Sequence, residues 1–501
     1  MPEPLRNVND MSQPVSLPPR NWFTADVVQY PKMRLAIFII TVMVMMGYVA
    51  GSNPPPYFCC DAEHYWNLGS SYFKSGSFSL YDFETTFRGY SLPLILGFLR
   101  FIAKAIQIEE FRLFHVFNAV VTAAALVYVI PTLAKKVFSV DSTAVGTLLT
   151  IALFMLFWGG YLINPLSDTW SFFLAAAAAL ATILALESAS DGKRLFLGLI
   201  AGAAVGLCLN IRPIYALSLP IYVLGIMLAR GVTPNVKTLV LLPFIGGVFA
   251  ALVPQALLNA AQIGTANPLS HSGSLYVLQI FMGTAVQRHE CAYFMDTAGV
   301  SLLARNGIEV LKPAPEGAFY FDVSIENRSI LEYVGMVLRH PIDFAALYIR
   351  HIFNGFTVLR DNIYACNYRM YDTFLSLASL LLGGLAIGLV CVASKIVWSA
   401  KYKWFVLASV VPLLVIVPTS IEGRFFFPAQ MWFYMLLAFV GIRGSTLMLL
   451  RARLGAIAAV ATLIFAIGLI QFAGVQSGKY AWLGLDGGRV KLRPAPQLIT
   501  Q

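Results

Sequence analysis

Three arginines stand at turns between apolar stretches: Arg88 in Phe87-Arg88-Gly89-Tyr90-Ser91-Leu92-Pro93, Arg212 in Asn210-Ile211-Arg212-Pro213, and Arg424 in Ile421-Glu422-Gly423-Arg424. A guanidinium offers a planar fork of donors that matches phosphate oxygens, so three of them on one face could make a phosphate-binding cluster. Singly, each has a plainer explanation. Arg212 could be an anchor that snorkels to lipid headgroups, and Arg424 could pair locally with Glu422 at little energetic gain. Two aspartates accompany them. Asp61 follows Pro54-Pro55-Pro56 and opens a helix over roughly 61–74, where Asp is also a favoured N-cap. Asp168 sits where the apolar run 143–163 turns into 169–188, again a cap position. His64 shares a helix face with Asp61. Glu63 does not, so Asp61 and Glu63 make a weak metal pair unless Asp61 lies on the loop before the helix.

The elements that must position these residues follow from composition. The chain has 501 residues, 58% hydrophobic and 12% charged, about half the charge of a soluble domain. That excludes a soluble multidomain enzyme and a disordered chain. The net charge of +10 gives no reason to expect a nucleic-acid partner, because Lys and Arg cluster in short connectors between apolar runs, as the positive-inside rule requires. The expected fold is an all-α polytopic membrane protein with about eleven transmembrane helices, on apolar runs near 35–50, 111–131, 143–163, 169–188, 195–211, 214–230, 238–258, 373–394, 403–419, 428–442 and 454–474. Run 91–107 carries Arg100 and Lys104 on one helical stripe, which suits a helix lying along the membrane surface better than a span. With 91–107 outside, Lys32/Arg34 and Lys135/Lys136 fall on one side, taken as cytoplasmic. Run 35–50 then reads as an uncleaved signal anchor behind a cytoplasmic tail, 1–32. The outer side receives 51–110, 259–372, the tail 475–501 and every turn that bears Asp168, Arg212 or Arg424. Gly198, Gly202 and Gly206 read as a helix-packing seam. Cys208 and Cys391 read as buried. Cys59, Cys60, Cys291 and Cys366 all lie outside, where a disulfide between the two outer segments is feasible, and Asn327-Arg328-Ser329 is a glycosylation sequon.

The order of these motifs resembles the GT-C superfamily of polyprenyl-phosphate-dependent glycosyltransferases, nearest to its lipid A aminoarabinose transferase and protein O-mannosyltransferase branch. The matching residues are Asp61-Ala62-Glu63-His64-Tyr65, then Phe73 to Gly76, then Arg88-Gly89-Tyr90-Ser91-Leu92-Pro93, then the Arg212-Pro213 turn after a Gly-rich span. Leu338-Arg339-His340-Pro341 to Arg350 resembles the family's later juxtamembrane helix, and Glu422-Gly423-Arg424 to Pro428 its Glu-x-Arg turn. Two departures stand out. Arg88-Gly89-Tyr90 replaces a Lys-Pro-Pro element, which bears on the donor sugar. The oligosaccharyltransferase signature Trp-Trp-Asp-Tyr-Gly is absent, which points away from transfer of a whole oligosaccharide.

The resemblance implies a GT-C-like catalytic module over 33–258, an outer segment 259–372 with a juxtamembrane helix near 330–352, and C-terminal transmembrane helices over 373–474. It implies transfer of a monosaccharide (hexosyl or pentosyl) from a polyprenyl-phosphate donor to a lipid, glycan or protein acceptor, with inversion, on the outer face of a bacterial inner membrane or its equivalent. Asp61 would be the general base. Arg88, Arg212 and Arg424 would bind the donor phosphate, and Asp168 would orient the acceptor or share a weakly held divalent cation with Asp61. Glu63, His64, Tyr65, Tyr90 and Glu422 would border the acceptor or the catalytic groups. The rival readings are a polyprenyl-linked lipid flippase or transporter, a non-catalytic scaffold, and an O-antigen polymerase or ligase.

Overall fold

Apolar stretches of 18 or more residues must satisfy their backbone internally in a membrane, and helices do so. Among the described residues of the computed structural model, seven helices are long and apolar enough to cross: Pro31–Gly51, Glu110–Phe138, Ala144–Leu162, Ser167–Glu187, Asp191–Ile211, Pro234–Ile263 and Phe374–Cys391. Shorter apolar helices cover Pro213–Met227, Lys403–Ile416 and Gly455–Ile470, and Phe427–Met435 runs on into a π-turn, Leu436–Gly441. Each of the eleven expected runs is thus helical over most of its described residues, seven of them at full spanning length. The structure describes residues 25–54, 57–58, 60–84, 88–270, 273–289, 292–308, 311–313, 319–321, 328–357, 370–392, 402–441, 455–470, 479–486 and 489–494. Cys59, Cys291, Cys366, Asn327, Phe87 and most of the 1–32 tail lie outside the described residues.

Local chemistry sets the seams. Pro31, Pro213, Pro234 and Pro341 open their helices at the first turn, where a missing N–H costs nothing. Gly202 abuts the Pro234–Ile263 helix so closely that an added Cβ would lie 1.8 Å from Phe244 O, and Gly198 and Gly206 touch Val240 O and Val248 O in the same register. The glycine run is a packing seam, as its spacing predicts. Cys208 is buried. Cys391 is exposed on its helix, contrary to the expectation that it is buried: the helix turns it to the outside of the bundle.

The two ends of the bundle carry different chemistry. At one end, the start of the Pro31–Gly51 helix meets the turn after Glu110–Phe138. Val27 N donates to Ser142 O at 2.8 Å, Lys135 pairs with Asp26, and Arg34 donates to Val127 O (3.0 Å) and Tyr128 O (2.6 Å) in the π-turn Ala125–Val129. Lys136 pairs with Glu187 at 2.6 Å, and Tyr402 donates to the other Glu187 oxygen at 2.5 Å. Lys135/Lys136 therefore share one end with Arg34, as an even number of crossings between them requires.

The Ser91–Ala105 helix is separate from Glu110–Phe138 and lies against the Cys60–Ser71 helix. Phe98, Phe101 and Ile102 are exposed while Leu92, Leu96, Leu99 and Ala103 are buried, the two-faced pattern of a helix that lies along an interface.

The segment 259–372 holds more structure than its sequence signalled. Helices Gly273–Ala285, Thr297–Arg305, Ile330–Arg339 and Pro341–Phe356 enclose a small core of Phe281, Leu303, Tyr333, Met336 and Phe344. The helix expected near 330–352 is two helices: His340 leaves the helical region (φ −129°, ψ 53°) ahead of Pro341, as a residue before proline must. Among the described residues, six strands form one antiparallel sheet: β1 Val286–His289, β2 Ala292–Met295, β3 Leu311–Pro313, β4 Phe319–Phe321, β5 Lys479–Asp486 and β6 Arg489–Pro494. Their order is β1-β2-β5-β6-β4-β3. The C-terminal hairpin is thus inserted between β2 and β4, and the expected tail 475–501 contributes to the same unit as 259–372.

Candidate active site

Asp61 lies in the first turn of the Cys60–Ser71 helix, not at its cap. That helix is pinned by a mutual glycine contact, since a Cβ on Gly97 would lie 2.4 Å from Gly69 O. Arg100 reinforces it, donating to Trp66 O at 3.1 Å, stacking 5.1 Å over the Trp66 ring and pairing with Glu110 at 2.8 Å. Cys60, next to Asp61, is disulfide-bonded, and its partner lies outside the described residues.

Arg88 is set by a buried polar relay. Asn210 Oδ1 accepts from Ser91 N at 2.9 Å, and Asn210 Nδ2 donates to Gln255 Oε1 at 3.0 Å, which also accepts from Tyr90 N at 3.1 Å. Gln255 Nε2 in turn donates to Asn259 Oδ1 at 2.9 Å. The loop sits so tightly on this relay that a Cβ at residue 89 would lie 1.9 Å from Asn210 O, which leaves room only for Gly89. Tyr90 faces away from Arg88, its hydroxyl donating to Ala251 O at 2.8 Å while its carbonyl accepts from Tyr72 at 2.7 Å.

Asp168 is in the first turn of Ser167–Glu187 and is 2% exposed. The preceding turn is fastened by Asn118 Nδ2, which donates to Tyr161 O at 2.7 Å, and by His115 Nε2, 3.2 Å from Ile163 O. Arg212 caps the C-terminus of Asp191–Ile211 in extended conformation. Arg424 lies in a 3-10 turn, Gly423–Phe426, whose Phe426 packs directly against Gly355 of the Pro341–Phe356 helix.

These five turns converge. Asp61 accepts from Arg88 through Oδ1 and from Arg424 Nη2 through Oδ2 at 2.6 Å. Arg424 Nε donates to Glu422 Oε2 at 2.5 Å, and Arg424 Nη1 lies 4.0 Å from Asp168 Oδ2. Asp168 also pairs with Arg212. Arg88 donates to the Tyr65 hydroxyl at 3.1 Å and lies 4.7 Å over its ring. Phe425 sits between cations, 5.1 Å from Arg212 and 5.4 Å from Arg424. The result is an alternating chain, Arg88–Asp61–Arg424–Asp168–Arg212, with Glu422 on its middle member.

The field follows from this order. Burial pushes the Asp61 carboxyl up, but Arg424, Arg88 and Arg212 outweigh it and hold the group below the usual carboxylate range. Burial pushes Arg88 down, and Tyr65 and Asp61 more than restore it, so its charge is fixed. His64 is driven toward its neutral form by burial and by the Arg88 charge. Glu63 is exposed, on another face of its helix from Asp61. Asp61 and Asp168 each face guanidinium groups, and no group of three or more His, Cys, Asp or Glu side chains is gathered among the described residues.

Sequence reading singled out each charged member of the cluster but not the residues that hold it. Gln255 and Asn259 were legible as a polar i, i+4 pair inside an apolar helix. Phe425 and the Asn118 contact had no such signal.

No protein-family model and no curated protein matches the sequence. Among solved structures, the chain is similar to the Archaeoglobus fulgidus oligosaccharyltransferase. In the apo form the identity is 14% and the TM-score 0.46, over 88% of this chain and 55% of that one. With the enzyme tethered to an acceptor peptide containing the NVT sequon they are 14% and 0.47, over 90% and 54%. In the complex with Zn and sulfate they are 14% and 0.46, over 86% and 53%. The chain therefore spans about half the length of that enzyme.

Proposed function

We propose that this protein is a membrane glycosyltransferase that moves a monosaccharide from a polyprenyl-phosphate donor to an acceptor hydroxyl on the extracytoplasmic face. The observation that carries this reading is the convergence of Arg88, Arg212 and Arg424 on Asp61 and Asp168 from five separate turns at one end of an apolar bundle. A scaffold has no use for such a costly assembly of charge. A flippase would be expected to keep its charges near the bilayer midplane.

The chemistry follows from the groups present. Asp61 takes the proton of the acceptor hydroxyl, and the oxygen attacks the anomeric carbon from the face opposite the phosphate. The bond between that carbon and the phosphate oxygen breaks, its electron pair leaves with polyprenyl phosphate, and the configuration inverts. A phosphate leaving group is a stable anion, so no acid need protonate it. The arginines stabilise the charge that develops on the phosphate oxygens, which is commonly the largest catalytic contribution. Asp168 holds Arg212 and borders Arg424, and so fixes the geometry of the anion site.

The test is a transfer assay with purified protein in nanodiscs, radiolabelled polyprenyl-phosphate sugars and host envelope lipids, wild type beside Asp61→Asn. Label that reaches an acceptor only with wild type is expected. Equal binding of polyprenyl phosphate in both proteins with no transfer in either would favour a flippase or carrier and remove the enzymatic reading.

A further inference from the structure

The cluster is charge-balanced before any donor arrives: three guanidinium groups, Arg88, Arg212 and Arg424, meet three carboxylates, Asp61, Asp168 and Glu422. The balance is local as well as total. Arg424, 8% exposed, gives Nη2 to Asp61 and Nε to Glu422 and turns Nη1 toward Asp168, so every edge of its planar fork faces a carboxylate. Arg88 gives one Nη to Asp61 and the other to Tyr65. A phosphodiester that approaches this array meets no surplus of positive charge. It can take the Nη2 donors of Arg88 and Arg424 that Asp61 holds only if Asp61 gives them up, because an N–H that donates to a carboxylate is not free to donate in full to a phosphate.

Given the glycosyltransferase reading, on which this step rests, we infer that the donor phosphate and Asp61 compete for Arg88 and Arg424, so that donor binding itself releases the carboxylate that acts as base. In the empty site Asp61 is neutralised by two arginines and is a poor proton acceptor. When the phosphate takes over those guanidinium groups, the carboxylate loses its counter-ions and its basicity rises where the acceptor hydroxyl must be deprotonated. The device imposes an order. Donor binds first, and a hydroxyl that enters an empty site meets a quenched base. Glu422, on the same guanidinium, competes in the same way but is not the base.

Competition for the arginines and a simple donor-binding role for Asp61 predict opposite effects of removing its carboxylate. Binding of polyprenyl phosphate to purified protein in nanodiscs would be measured for wild type, Asp61→Asn, Asp61→Ala and Glu422→Gln, with thermal unfolding as a control for folding. Both Asp61 variants should bind about threefold to tenfold more tightly than wild type, the scale of removing half-buried ionic competitors, while transfer is lost. Glu422→Gln should also bind more tightly, and it decides the question should neither Asp61 variant fold. Unchanged or weaker binding in the folded variants would overturn the competition and leave the glycosyltransferase reading standing. No binding of polyprenyl phosphate by wild type or any variant would remove that reading, and this inference with it.

Discussion

The two ends of the helical bundle both hold acidic and basic residues, yet they use them differently. At the Asp26 end the pairs involve lysine and are separate: Lys135 with Asp26, Lys136 with Glu187, each lysine about a third exposed. Arg34 there spends its donors on backbone carbonyls and a hydroxyl of the π-turn. In the Asp61 cluster the cations are all arginine, they share carboxylates, and Arg424 and Asp168 are almost wholly withdrawn from solvent. Separate, partly wet pairs fasten helices and can be lost cheaply. A shared, buried chain of charges is costly to assemble, and each member depends on its neighbours. Such expense at one end alone marks where chemistry is to be sought.

The comparison can be broken most severely at Asp61. Asp61→Asn should lower transfer by about 10²–10⁴-fold, the range of a lost general base, with the protein still folded at the assay temperature. Residual transfer within a few-fold of wild type would end the assignment. Arg424→Lys should cost about 10²–10³-fold in transfer, because an ammonium cannot serve Asp61 and Glu422 along one planar fork. Rescue by lysine would reduce the cluster to simple charge, like that of the other end. Gly89→Ala touches no charged group, yet the Cβ would collide with Asn210 O and displace Arg88. Transfer should fall by about 10²-fold, as expected for a misplacement near 1 Å, and measured kinetics should show whether donor binding falls with it.

Acidification sharpens the contrast without a large effect. The folded-state pKa of Asp61 lies below its unfolded value of about 3.9, so the stability it contributes is complete above that value and drains away as pH falls beneath it. The difference in unfolding temperature between wild type and Asp61→Asn should therefore stay constant from pH 7 to pH 5 and narrow only below about pH 4. A difference already gone at pH 5 would show that the arginines do not hold this carboxylate. The smallest effect belongs to the opposite end. Lys136→Met should change stability by less than about 1 kcal/mol and leave transfer at the wild-type rate. A marked loss of transfer would show that the two ends are coupled.

Much of this was legible in the chain. Length, apolar runs and basic connectors determined an all-α membrane protein, because backbone groups in hydrocarbon leave little choice of structure. The glycine spacing at 198, 202 and 206 determined one helix seam, and the placement of Asp61, Arg88, Asp168, Arg212 and Arg424 at turns on a single end of the bundle was readable from parity and charge. What the sequence did not determine was pairing. The strands at 286–321 are only three or four residues long and lie far in sequence from those at 479–494, so a period-two pattern does not announce a shared sheet. Likewise, nothing in a one-dimensional pattern says that Arg424 bonds Asp61 across 363 positions, or that Gln255 carries the backbone of Tyr90. Hydropathy acts residue by residue and survives in the linear string. Ion pairing acts through distance and direction, and those exist only once the helices are packed.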